Sequence, residues 1–190
     1  KSTGKLREEF HIPAIGDVRK VITSMSGSDE TIKKMLEYRF HTTSDLDGHA
    51  LGNLILTSLL DITGSLKSAI EESSILLDVK SNIFPLTEDK NITLMGEATD
   101  GSIIEGEEMI TKSPKKIKRL FYKEEPNVLK EVITAINEAD LVLLSMGSLY
   151  TSLFPNLLSK KVITALDKTK SPIMYVCNIV TQPGETDNFT

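Results

Sequence analysis

The segment Pro13-Ala14-Ile15-Gly16-Asp17-Val18-Arg19 places a carboxylate and a guanidinium two residues apart at the start of a predicted helix. Asp17 could hold a divalent cation, Mg2+ for instance, while Arg19 pairs with a phosphate. Simple N-capping by Asp17 with a solvated Arg19 explains the same two residues, and a metal site would need a second carboxylate from elsewhere. Gly48-His49-Ala50-Leu51-Gly52-Asn53 opens an otherwise apolar helical pattern. Two glycines so close to a helix start are costly unless something approaches the backbone there, which makes His49 and Asn53 candidate ligand contacts. The competing reading makes His49 an ordinary helix-start residue and Gly52 a close helix-packing contact. The other histidines are His11 and His41, so a His-x-x-x-His zinc site is unsupported.

Two further segments follow apolar runs. Gly147-Ser148 comes just after Leu141-Val142-Leu143-Leu144, and a glycine there lets backbone amides approach an anion, with the hydroxyls of Ser148, Thr151 and Ser152 as added donors. A strand-to-helix turn capped by hydroxyls accounts for them equally well. Asn178, Thr181, Gln182, Gly184, Glu185 and Thr186 lie in a polar stretch after Ile173-Met174-Tyr175-Val176 that could read a sugar or a base, or be polar because it is exposed. There is no Gly-x-Ser-x-Gly elbow, no Cys-x-x-Cys pair and no complete dinucleotide fingerprint. Cys177 reads as a buried strand-end residue.

These segments must be positioned by elements. Val18, Val21, Ile22 and Met25 predict a helix capped by Asp17; Ile32, Leu36 and Phe40 predict a second over about 29–40, capped by Ser28. Leu51, Leu54, Ile55, Leu59 and Ile62 trace a third with Gly64 as its stop, and Ser65 restarts a fourth toward Leu77. Short β-like stretches at 82–86, 92–95, 102–105 and 117–122, with an Asp100-Gly101 turn, predict a small antiparallel insertion at about 82–122. A helix after Pro126, the run 141–144, a helix around 162–168 and the run 173–176 form a βαβ pattern with two parallel strands buried on both faces. Ligands in such sheets bind beyond the carboxyl ends of the strands, where the loops after 144 and 176 fall.

The 190 residues carry 22 Lys+Arg against 27 Asp+Glu, a net charge of −5, with 39% apolar residues. This is the composition of an ordinary soluble domain, with a length that favours one domain, 1–190, and it argues against a clustered basic surface for nucleic acid. No eighteen-residue apolar run predicts membrane insertion, and a single cysteine excludes an internal disulfide, so a cytoplasmic location is expected. Lys1 at one end and a polar segment at the other suggest a chain incomplete at both ends. Homo-oligomer formation is left open.

The motifs Ser2-Thr3-Gly4-Lys5-Leu6-Arg7, Pro13 to Arg19, Tyr38-Arg39-Phe40, Gly48 to Leu54, Gly147 to Ser152 and Thr181 to Asp187 together resemble the YvcK-type gluconeogenesis-factor family, related to the CofD-type 2-phospho-L-lactate transferases. The resemblance implies a Rossmann-like parallel sheet flanked by helices, and binding of a sugar nucleotide such as UDP-N-acetylglucosamine. It also implies a cytoplasmic bacterial regulator of cell shape and of growth on gluconeogenic carbon. By matched position it puts Gly147, Ser148, Tyr150, Thr151, Ser152 and Asn156 in the transferases' phosphate and acceptor loop. Gly48 to Asn53 falls at their acceptor pocket, with His49 in place of an aspartate, and Asp17 resembles one of their metal-binding aspartates. The alternative it implies is a metal-dependent phospholactate-type transferase acting on a nucleotide-diphosphate donor.

Overall fold

A computed structural model describes Leu6, Phe10, Ile12, Pro13, residues 15–182 and Thr186. The chain divides into two units, Lys1–Lys90 and Asn91–Thr190. In the first, α1 (Ile15–Met25), α2 (Glu30–Glu37), α3 (Leu51–Thr63) and α4 (Leu66–Leu76) close around Ile15, Ile22, Leu36, Leu56, Leu60, Leu66, Ile70 and Leu77. Helix α3 stops where predicted, at Gly64 with φ +72°, and Ser65 caps α4 by accepting from Ser68 N–H.

The faces of α1 and α3 differ from expectation. Helix α1 begins at Ile15, so Asp17 lies inside the first turn and not at its cap. Its buried stripe is Ile15, Arg19, Ile22 and Thr23, while Val21 and Met25 are exposed. An earlier start rotates the buried face toward Arg19, a residue that apolar periodicity cannot select. Helix α3 is apolar nearly all round; it buries Gly52, Asn53, Leu56 and Leu60, with Leu54, Ile55 and Leu59 half-covered and Ile62 exposed. An all-round apolar helix leaves the choice of face to its neighbours. Helix α2 ends at Glu37, short of Phe40, and Asp29 rather than Ser28 occupies its cap position; the Ser28 hydroxyl donates to the Leu77 carbonyl instead.

The second unit begins with β1 (Leu94–Ala98), β2 (Ile103–Glu105), α5 (Glu107–Lys112) and β3 (Ile117–Tyr122). The three strands form an antiparallel sheet in the order β2-β1-β3, with the predicted Asp100-Gly101 turn at Gly101 φ +82°. The stretch 82–86 is not a strand; Pro85 has no N–H to give a ladder. Arg119 faces Glu97 and Ile117 faces Ala98, so Lys118 is an extra residue in β3, a bulge. The bulge puts Lys118 and Arg119 together on Glu97, at 3.0 and 2.9 Å. The other basic residues of 112–123 are also matched, Lys112 by Glu108, Lys115 by Asp100 and Lys123 by Glu105, Lys116 excepted. This concentration of cations is therefore mostly neutralised at its source.

Helix α6 (Lys130–Glu138) precedes β4 (Val142–Leu144); a π-helical turn (Leu149–Leu153), α7 (Phe154–Leu157) and α8 (Lys160–Lys168) then lead to β5 (Ile173–Tyr175). Strands β4 and β5 are parallel, pairing Val142 with Ile173 and Leu144 with Tyr175, which is the predicted βαβ unit. The expected burial on both faces is not found. Leu143 and all of β5 are about half exposed, and Cys177 is exposed as well. An apolar run reports what a strand can be buried against, and among the described residues little covers the faces of β4 and β5. Among the described residues no helix is long and apolar enough to cross a membrane.

Candidate functional site

The loops that leave β4 and β5 are tied together. Asn178 Nδ2 donates to the Gly147 carbonyl at 2.7 Å, joining the two segments that the sequence picked out separately. After Gly147, the Ser148 hydroxyl accepts from Thr151 N–H at 3.1 Å and lies 2.6 Å from the Thr151 hydroxyl. Ser148 therefore caps the π-helical turn. The turn has a local cause: Pro155 has no N–H for the Thr151 carbonyl and its ring crowds that oxygen, and immediately before it the ladder widens, with Leu153 N–H reaching Ser148 O and Phe154 N–H reaching Leu149 O. Tyr150 packs toward Leu94, Ile110, Ile117 and Leu120 and lies 5.9 Å from the Phe154 ring, so its ring serves the core of this unit. Asn156 Nδ2 donates to the Ser152 carbonyl at 2.8 Å, while Ser152 itself is exposed.

A Cβ on Gly147 would sit 3.1 Å from Ser152 Cβ, a tight approach that keeps this loop folded closely on itself. Beyond Asn178, Gln182 N–H donates to the Thr186 hydroxyl and Thr186 N–H to the Gln182 carbonyl. Thr181 is exposed next to it; Gly184 and Glu185 lie outside the described residues, as does the Ser2 to Lys5 segment and Arg7. Tyr175 projects beside Cys177, and partial desolvation together with the thiol contact pushes its phenol up from the ordinary value.

In the first unit, His49 and Asn53 are buried. Gly48, at φ +73°, turns the chain into this segment, and its carbonyl accepts from Arg39 Nη1 at 2.8 Å. Gly52 is where α3 meets Arg19: a Cβ there would lie 2.8 Å from Arg19 Cδ and 2.8 Å from the Leu36 carbonyl. Asp17 and Arg19 do not act together. The Asp17 carboxylate points to solvent and pairs with Lys20 at 2.9 Å, whereas Arg19 is buried, with desolvation lowering its affinity for a proton. Among the described residues no three His, Cys, Asp or Glu side chains stand close enough to share a metal ion. Asp17 therefore belongs to no such group among the described residues. Sequence reasoning passed over Arg39 as a chemical group, because its guanidinium meets this segment only through the antiparallel bridge of Arg39 with Ala50.

Comparison with known proteins places this geometry in a lineage. The family model described as 2-phospho-L-lactate transferase CofD matches residues 1–190. The chain belongs to the CofD family. Proteins named gluconeogenesis factor from Halalkalibacterium halodurans and Bacillus subtilis are each 40% identical to it over its whole length. The chain spans 59% and 60% of those two relatives. A crystal structure of a UPF0052-family protein from Bacillus halodurans superimposes with a TM-score of 0.95 at 40% identity, covering all of this chain and 61% of that one. The YvcK-type resemblance and the α/β architecture both hold within this CofD-family frame.

Proposed function

We propose that this CofD-family chain is the greater part of a nucleotide-sugar-binding regulator of growth on gluconeogenic carbon and of cell shape, with UDP-N-acetylglucosamine as the ligand class. The observation that carries the reading is the Asn178 to Gly147 hydrogen bond, which ties together the loops that follow two parallel strands. That is where α/β sheets receive nucleotides. The phosphates would approach the backbone around Gly147 and Ser148, and Thr181 to Thr186 would meet the sugar or base. The names carried by the relatives support the gluconeogenic role.

Phosphoryl-linked group transfer is the second reading, favoured by the description of the family model. It requires a divalent cation and an acceptor, and Asp17 meets Lys20 in an exposed ion pair that a cation would have to displace. Calorimetric titration with UDP-N-acetylglucosamine and with GDP, each with and without magnesium, separates the two. Selective, magnesium-independent binding with the sugar nucleotide recovered intact supports the regulator. Magnesium-dependent GDP binding without any response to the sugar nucleotide overturns it in favour of the transferase.

A further inference from the structure

Helices α6 and α8 lie side by side and run the same way, and hydrogen bonds join them at both ends. At their heads Lys161 Nζ donates to Asn127 Oδ1 at 3.4 Å, just before α6 begins. At their tails the Thr169 hydroxyl donates to the Ile136 carbonyl at 3.3 Å, and the Ser171 hydroxyl donates to the Ala139 carbonyl. Between the two helices runs a groove of about 390 Å³, a size common among natural binding clefts. The ties at its ends fix one wall relative to the other.

The charge of this groove is one-sided. Lys161, Thr164 and Lys168 are spaced i, i+3, i+7 and form a stripe along α8, with Lys160 beside them. Half-buried Ile133 and buried Ala165 supply an apolar floor. No carboxylate lines it: Glu125 accepts from the Ser159 hydroxyl and the Lys160 amide, and Glu131 and Asp167 lie outside the lining. Among the described residues none of the three lysines forms an ion pair, whereas Lys20, Lys67, Lys112 and Lys115 all do. Lys160 and Lys161 also occupy the first turn of α8, which holds no acidic residue, so they oppose the helix dipole. Helix α6 points its own positive pole the same way. Each of these terms is unfavourable to the chain by itself, and an acidic partner reverses the sign of every one.

We propose that the groove between α6 and α8 is a docking surface for another protein, and that it takes an acidic amphipathic helix. Charge complementarity sets the partner's sign, and Ile133 with Ala165 calls for an apolar side chain between its carboxylates. Lys161 and Lys168 are seven residues apart, about 10 Å along the axis, so a helix laid alongside meets them with carboxylates at the same spacing. The surface is concave, which suits a helix better than a flat sheet of lipid headgroups. It belongs to the two helices and not to the loops after β4 and β5, so it does not depend on the nucleotide-sugar reading.

The test is fluorescence anisotropy of a labelled helical peptide that carries glutamates seven residues apart with leucine midway, titrated with the chain. Binding should saturate, and should weaken severalfold when sodium chloride rises from about 0.05 to about 0.5 M. Lys161→Glu combined with Lys168→Glu should weaken it at least about tenfold, because two attractions become repulsions. Lys161→Glu alone should bind more weakly yet melt at the same or a higher temperature than the parent, since an acidic first turn suits the helix dipole. That variant separates lost docking from lost folding. Lys34→Glu combined with Lys116→Glu makes the same change in net charge at exposed positions elsewhere, and should keep the affinity within about twofold. No saturable binding, or an equal loss in the two double variants, overturns the proposal. So does loss of UDP-N-acetylglucosamine binding in the Lys161→Glu, Lys168→Glu chain, which would assign these lysines to the nucleotide. Tighter lysine-dependent binding of phosphatidylserine vesicles or of a single-stranded oligonucleotide than of the peptide would give the groove to lipid or nucleic acid, and overturns it as well.

Discussion

Gly52 and Gly147 are both crowded, and the difference between them lies in what a methyl group would strike. At Gly52 one obstacle is the Leu36 carbonyl, which belongs to the backbone and cannot swing aside. Gly52→Ala should therefore destabilise the chain by about 1–3 kcal/mol, read as a shift in the urea midpoint with an unchanged slope. At Gly147 the obstacle is the side chain of exposed Ser152. Gly147→Val should fold, with its midpoint within a few degrees of the parent, yet bind UDP-N-acetylglucosamine at least about tenfold more weakly, because the branched side chain stands where a phosphate would meet the backbone. Undiminished affinity would move the phosphate elsewhere. Sequence spacing identified both glycines, but it coupled Asp17 to Arg19 when the helix sends them to opposite environments. A carboxylate and a guanidinium two apart on a helix do not face each other, and one of them had to turn inward.

At the scale of elements, the two best-defined helix starts borrow a carboxylate from a remote loop. Glu88 accepts from the Ser65 hydroxyl at 2.7 Å and from Lys67 N–H at 3.0 Å at the head of α4; Glu125 does the same for Ser159 and Lys160 at the head of α8. The Lys67 amide first and the Ser65 hydroxyl second hold the Glu88 carboxyl below its ordinary value. With the folded value depressed, its stabilisation is fully present above the unfolded value, near 4.3, and drains away as pH falls through the folded one. Glu88→Gln should lower stability by about 0.5–1 kcal/mol at pH 7 and make the acid limb of the melting profile shallower below pH 4. An acid limb identical to the parent's would show that other carboxylates control it. Local patterning announced much at this level. Gly64, Ser65, the Asp100-Gly101 turn and the strand 117–122 were all readable because each depends on a few adjacent residues. The Glu88 and Glu125 caps were not, since their partners lie 23 and 34 residues away. The bulge at Lys118 was equally hidden, because it depends on the register with β1.

Across the whole molecule, burial is distributed unevenly. Among the described residues the first unit surrounds a continuous cluster of eleven buried apolar residues, and the antiparallel sheet a cluster of four, whereas α6 buries none and β5 is exposed along its length. Backbone amides open in proportion to how little packing holds them. Hydrogen exchange on this chain should therefore give the slowest amides in α1, α3 and α4, intermediate ones in β1 and β3, and the fastest structured ones in β4, β5 and α6. The parallel pair was predicted from runs that read as buried on both faces, and that pattern is what a completed parallel sheet requires. The same apolar faces make exchange at β4 and β5 a sensitive reporter of association. If their protection rises with protein concentration while that of α3 does not, a second copy covers the sheet, and a homo-oligomer through this face is established. If β4 and β5 are as slow as α3 even at high dilution, the packing hierarchy drawn from burial is wrong.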